Sequence, residues 1–100
     1  MKVDYSKSFI KAVSKLSGKQ RDSVRDVIAE VKNAQGLEEI TDCIRMVGYH
    51  SVYRIRIGSY RAFFTFHIEI VDDVVQFQYL ISRGQAYTKK VEKELKRLDT

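Results

Sequence analysis

The sequence predicts an α+β fold: a small twisted antiparallel sheet, an N-terminal helical hairpin on one face of it, and a C-terminal helix. Three observations lead there. Apolar residues recur at helical spacing through the first third of the chain. The middle alternates apolar and polar residues and carries turn signals. The last stretch returns to helical spacing.

Val3 to Tyr5 reads as a short first strand. Ser6 is placed to cap a helix whose apolar stripe is Phe9, Ile10, Val13 and Leu16. Ser17-Gly18-Lys19-Gln20 has capping-box spacing. Behind it Val24, Val27, Ile28 and Val31 form the apolar face of a second helix. Gly36 is expected to end the connection that follows. Then the period changes. Tyr53, Ile55 and Ile57 alternate with Val52, Arg54 and Arg56, and Gly58-Ser59 is a two-residue hairpin turn. Tyr60, Ala62, Phe64, Phe66 and Ile68 alternate with Arg61, Phe63, Thr65 and His67. Asp72-Asp73 is a second candidate turn, before alternating Val75, Phe77, Tyr79 and Ile81. Tyr87, Val91, Leu95 and Leu98 form the stripe of the last helix, among Lys89, Lys90, Lys93, Lys96 and Arg97.

At 100 residues, one domain spanning 1–100 is expected. Hydrophobic residues are 44% and charged residues 31%, a globular rather than a disordered balance. Cys43 is the one cysteine, so no internal disulfide forms. With His50 and His67 it falls short of a four-ligand zinc site, and neither metal nor cofactor is expected. No apolar run reaches the roughly 18 residues of a membrane span. The N-terminus lacks a secretory apolar segment, so a cytoplasmic protein is expected.

Charge carries more information. The net charge of +5 suits a polyanionic partner, nucleic acid or an acidic protein segment. Between Cys43 and Ile68 there is no acidic residue, but there are Arg45, Arg54, Arg56 and Arg61 with His50 and His67. A turn at Gly58-Ser59 pairs Ile57 with Tyr60, sets Arg56 opposite Arg61 and faces Arg54 with Phe63. A tight turn at Asp72-Asp73 would set Phe66 opposite Tyr79, Phe64 opposite Ile81 and His67 opposite Gln78. One face then collects Tyr53, Ile55, Ile57, Phe64, Phe66, Phe77, Tyr79 and Ile81, for the helical hairpin to cover. The other collects Arg54, Arg56, Arg61, Phe63, Thr65, His67, Gln76, Gln78 and Ser82. Like charges directly opposite on a sheet repel. The arginines are therefore either an anion site, whose forks suit phosphate oxygens, or groups that splay into water or pair with acids from the helices. Phe63 is either an edge-of-core aromatic or a stacking surface for a base.

Two blocks carry a family resemblance. Val52-Tyr53-Arg54-Ile55-Arg56-Ile57-Gly58-Ser59-Tyr60-Arg61 is the first, and Ile81-Ser82-Arg83-Gly84-Gln85-Ala86-Tyr87 is the second. Through them the chain resembles the RelE/ParE family of toxins from bacterial toxin–antitoxin modules, over essentially its whole length. The resemblance implies the same α+β fold. For activity it leaves three alternatives: RelE-like members cut messenger RNA in the ribosomal A site, ParE-like members inhibit DNA gyrase, and a degenerate toxin would keep only the fold and antitoxin binding. In the first two, a cognate antitoxin wraps the toxin, so a toxin–antitoxin hetero-oligomer is expected.

Carried over by motif, the family's functional positions are Arg54, Arg56, Arg61, Arg83 and Tyr87. The RNA reaction would use the substrate's 2′-hydroxyl as nucleophile on the adjacent phosphate, with no metal. The resemblance implies Arg61, Arg83, Tyr87 and Arg56 as catalytic residues, Arg61 holding the scissile phosphate. Arg54, Arg56, Phe63 and Arg45 are the expected RNA-binding set. Tyr87 would stack on a base or move a proton, or else pack in the last helix's stripe. RNase members often carry lysines where this chain has Arg54 and Arg56. Arginine stays protonated, so catalysis here would lean on electrostatics and imposed geometry. His67 is an alternative base. The basic last helix would contact ribosomal RNA, exchange with an antitoxin helix, or simply be solvated.

Overall fold

The computed structural model of the chain describes residues 1–99. The order is β1 (Lys2–Tyr5), α1 (Lys7–Ser14), α2 (Gly18–Asn33), a 3-10 turn (Leu37–Glu39), β2 (Cys43–Arg45), β3 (Val52–Ile57), β4 (Tyr60–His67), β5 (Val74–Ser82) and α3 (Lys89–Leu98). The helix starts follow from the caps in the sequence. Ser6 Oγ accepts from the Phe9 N–H at 3.0 Å. Ser17 and Gln20 form a complete capping box. Thr88 Oγ1 accepts from the Val91 N–H at the start of α3.

The sheet has five strands in the order β1-β5-β4-β3-β2. It is mixed, because β1 runs parallel to β5 with Val3 beside Val75 and Tyr5 beside Phe77. The other pairs are antiparallel. The helical hairpin covers one face, where Phe9, Val24, Val31, Ile55, Phe64, Val75 and Phe77 form the main core. Phe9 stacks on Phe77 with ring centroids 5.0 Å apart, locking α1 onto β5. A second, smaller core lies on the other face: α3 places Leu95 against Val52, Phe63 and Tyr49. Burying one such side chain is worth about 1.5–3 kcal/mol.

The first hairpin has the expected register, with Arg56 opposite Arg61 and Arg54 opposite Phe63. Gly58 takes φ +57°, which a side chain would strain. The second hairpin differs from expectation. β4 ends at His67 and β5 begins at Val74, so residues 68–73 form a loop rather than a tight turn. Phe66 pairs with Val75, and Phe64 with Phe77. The register then shifts, so Phe63 pairs with Tyr79 and Gln78 is the extra residue of a bulge. Beyond the bulge the faces exchange. Leu80 enters the main core, and Tyr79 and Ile81 pack with the second core instead.

Candidate functional site

Three elements build the site: β3, the start of β4 and the β5–α3 connection. Because β3 and β4 pair in register, Arg54, Arg56 and Arg61 all project from the face opposite the helical hairpin. The connection then folds back over them. The Arg83 N–H donates to the Ser59 carbonyl at 2.8 Å, joining the connection to the Gly58-Ser59 turn. Ala86 is buried in the second core. These anchors set Tyr87 above β3, where its ring edge meets Phe63 with centroids 6.4 Å apart. The Arg54 guanidinium donates to Tyr87 Oη at 3.2 Å.

Arg61 is only 7% exposed. Its Nη1 donates to the carbonyls of Gly58 and Tyr60, at 2.9 Å each. It thus braces the β3–β4 turn as well as facing the site. The Nε–H groups of Arg54 and Arg61 are buried without a partner among the described residues, so neither guanidinium is saturated within the protein. Burial raises the Tyr87 phenol's pKa, but the hydrogen bonds and charges of Arg54 and Arg61 outweigh it and bring it below the ordinary tyrosine value. Tyr87 remains 54% exposed, so a substrate can reach it.

The other expected residues divide. Arg83 is exposed beside this group. Arg56 is exposed and pairs with Asp42, Nη2 to Oδ1 at 3.2 Å. That acid comes from the segment before β2, outside the acid-free stretch. Phe63 requires correction as a base-stacking surface, and Arg45 does not join the Arg54–Arg61 group. Phe63 is 0% exposed beneath α3 and Tyr87, so its ring offers no face to a base. Arg45 lies opposite Tyr53 on β2, on the helical-hairpin face and away from Arg54. The sequence showed no strand at Cys43–Arg45, so this orientation was invisible there. His67 sits at the far end of β4 from the turn, its Nε2 3.0 Å from Thr65 Oγ1. Cys43 is partly buried, and burial pushes its thiol up to about 11.

Sequence reasoning missed Ile44, exposed on the arginine face opposite Arg54. It also missed the segment that closes the second core, where Tyr49 packs against α3 and its hydroxyl donates to the Glu92 carbonyl at 3.4 Å. Tyr87 itself precedes α3 rather than belonging to its stripe.

Comparison with known proteins places this geometry. The chain is 33% identical over 88 residues to Toxin RelE3 of Methanocaldococcus jannaschii, covering 87% of this chain and 96% of that protein. It matches a chain of the RelB–RelE antitoxin–toxin complex from Methanococcus jannaschii at TM-score 0.66 and 26% identity, over 84% of this chain and 94% of that one. The isolated Escherichia coli RelE toxin has the same fold at TM-score 0.66 and 19% identity, over 97% of both chains. No protein-family model matches the chain. The fold, the site and this relative together define a small α+β toxin. The chain belongs to the RelE family of toxins from toxin–antitoxin modules.

Proposed function

We propose that this toxin cuts messenger RNA in the ribosomal A site, and that a cognate antitoxin neutralises it. One observation carries the nuclease reading: an exposed tyrosine hydroxyl held at 3.2 Å by Arg54, on a face whose arginines lack buried acidic partners among the described residues. Binding to a protein target would not call for that arrangement, whereas phosphate chemistry would.

In the proposed reaction the 2′-hydroxyl attacks the adjacent phosphorus. Tyr87, as phenolate, accepts the hydroxyl proton. Arg54 and Arg61 stabilise the charge that grows on the phosphorane oxygens. The bond to the 5′-oxygen breaks beside Arg83, and that oxygen takes a proton from water. The products are a 2′,3′-cyclic phosphate and a free 5′-hydroxyl. The ribosome would hold the RNA for in-line attack, since arginines alone give little general-base help. The antitoxin reading rests on the solved complexes of similar toxins with RelB.

The test is a reconstituted translation reaction with a defined mRNA and primer extension. Cuts within A-site codons that require ribosomes and are lost in Tyr87→Phe are the expected result. Intact mRNA would overturn the nuclease reading and leave gyrase inhibition or a degenerate toxin, which a supercoiling assay separates.

A further inference from the structure

Apart from Tyr5 and Ile10, the exposed large hydrophobic side chains among the described residues fall into two patches. One is the 68–73 loop between β4 and β5, where Ile68, Ile70 and Val71 stand 83%, 104% and 96% exposed. The other surrounds Arg54. Ile44 lies opposite Arg54 on β2, Tyr87 Oη accepts from the Arg54 guanidinium at 3.2 Å, and Val47 lines the same open recess as Tyr87. Single exposed apolar residues are ordinary, but contiguous ones mark interaction sites.

The two patches carry opposite charge. Between Arg61 and Arg83 the chain has no lysine or arginine, and its acids there are Glu69, Asp72 and Asp73. Glu69 and Asp72 are exposed and have no ion pair among the described residues. Even with Lys2, which lines the recess beside them, the loop stays acidic. The patch around Arg54 is cationic, with Arg61 and Arg83 next to it.

The loop is braced. Asp73 Oδ1 accepts from the Glu69 N–H at 3.1 Å, and the Asp73 carbonyl accepts from the Lys2 N–H of β1 at 2.9 Å. A braced loop loses less freedom on docking than a free one. It does not cover the arginines of its own chain. β4 separates it from the Gly58-Ser59 turn by eight residues, about 23 Å of strand. The surface it fits therefore lies on another molecule. That surface must be apolar and edged with cations, and every copy of the chain carries one.

We infer that the 68–73 loop docks on the arginine face of a second copy of this chain. Ile70 and Val71 pack against Ile44, Val47 and Tyr87 of that copy, while Glu69 and Asp72 meet its Arg54 and Arg83. The contact joins two unlike patches, so it is heterologous. It is small, which puts it among weak and reversible interfaces. A docked loop covers Tyr87 and keeps substrate from it. The inference does not depend on the nuclease reading, because association is measured without RNA.

The first experiment is sedimentation equilibrium of the full chain over a concentration series. The average mass should rise above the monomer value at about 100 µM, and the rise should fade between about 0.05 and about 0.5 M salt. Ile70→Lys removes the apolar tip and adds a charge that the arginines repel, so this variant should stay monomeric. Ile70 is fully exposed, and the change leaves the fold intact. A wild type that stays monomeric at every concentration overturns the inference and leaves the loop to a different protein. Equal association of wild type and Ile70→Lys overturns it too. The second experiment locates the contact by NMR. Methyl-labelled Ile70→Lys keeps its arginine face and is titrated with unlabelled wild type. The Ile44 and Val47 methyl resonances should shift, and should not shift when the unlabelled chain is also Ile70→Lys. Association of the wild type without those shifts puts the contact elsewhere and overturns the inference.

Discussion

Tyr87 is where charge and chemistry meet. Its hydroxyl accepts from Arg54, and two guanidinium charges pull its pKa down against the effect of burial. If the phenolate is the proton acceptor, the rate rises with pH along a limb centred below the ordinary tyrosine value of about 10. Tyr87→Phe should lower the cleavage rate by about 10²–10⁴-fold, the usual contribution of a positioned acid or base. The ring would still meet Phe63, so the melting temperature should barely move. Arg54→Gln removes the hydrogen bond and a charge, which raises the phenol's pKa. The alkaline limb should then shift upward in a single-turnover pH profile; an unmoved limb would separate Arg54 from proton transfer. Arg61 combines two roles. Arg61→Ala should abolish cutting and also cost about 1–3 kcal/mol, because the turn carbonyls of Gly58 and Tyr60 lose their charged donor. Thermal melting beside the activity assay measures both effects.

The elements differ in how far local sequence determined them. Caps at Ser6 and Ser17 and a two-residue turn at Gly58 are local signals, so α1, α2 and the first hairpin were legible. So was the gathering of Arg54, Arg56 and Arg61, because register follows from turn length. The β4–β5 register was not legible. Its six-residue loop ends in Asp72-Asp73, which imitates a tight turn, and its bulge at Gln78 exchanges the faces, while the apolar run Tyr79-Leu80-Ile81 beyond it fits either face. The bulge is held by tertiary bonds that no local pattern announces. The Gln78 carbonyl accepts from Ser6 Oγ at 2.5 Å, and its side-chain amide donates to Thr65 Oγ1 at 3.0 Å. The seat of α3 is likewise non-local. Asp99 accepts from the N–H groups of His50 and Ser51, at 2.9 and 2.7 Å, and from Ser51 Oγ at 3.0 Å. Burial raises the Asp99 pKa, but these donors outweigh it and leave it below the ordinary carboxylate value. A depressed folded pKa gives stability that is present above the unfolded value and lost as pH falls through the folded one. Acidification below about pH 4 should therefore loosen the end of α3 before the main core. Asp99→Ala should do the same at neutral pH. Faster hydrogen exchange at the His50 and Ser51 amides is the expected sign, with protection in β4 unchanged.

At the scale of the whole molecule, the +5 charge matters through its distribution. Asp42 partly neutralises Arg56, whereas Arg54, Arg61 and Arg83 have no ion pair among the described residues. These three are the cations the site can offer to phosphates. Each phosphate neutralised on a single strand contributes about −0.7 to the slope of log affinity against log salt, so the site as built gives a slope near −2. A single-stranded RNA with a 2′-deoxy sugar at the cut position measures binding without cleavage, by fluorescence anisotropy across a salt series. Arg83→Ala should weaken binding and flatten the slope by about 0.7. Asp42→Asn should do the opposite, since it frees Arg56 for a fourth phosphate and steepens the slope by up to about 0.7. A slope of −4 or steeper in the wild type would show that the lysines of α3 also hold RNA. The phosphate-binding surface would then extend from the β3–β4 arginines across α3.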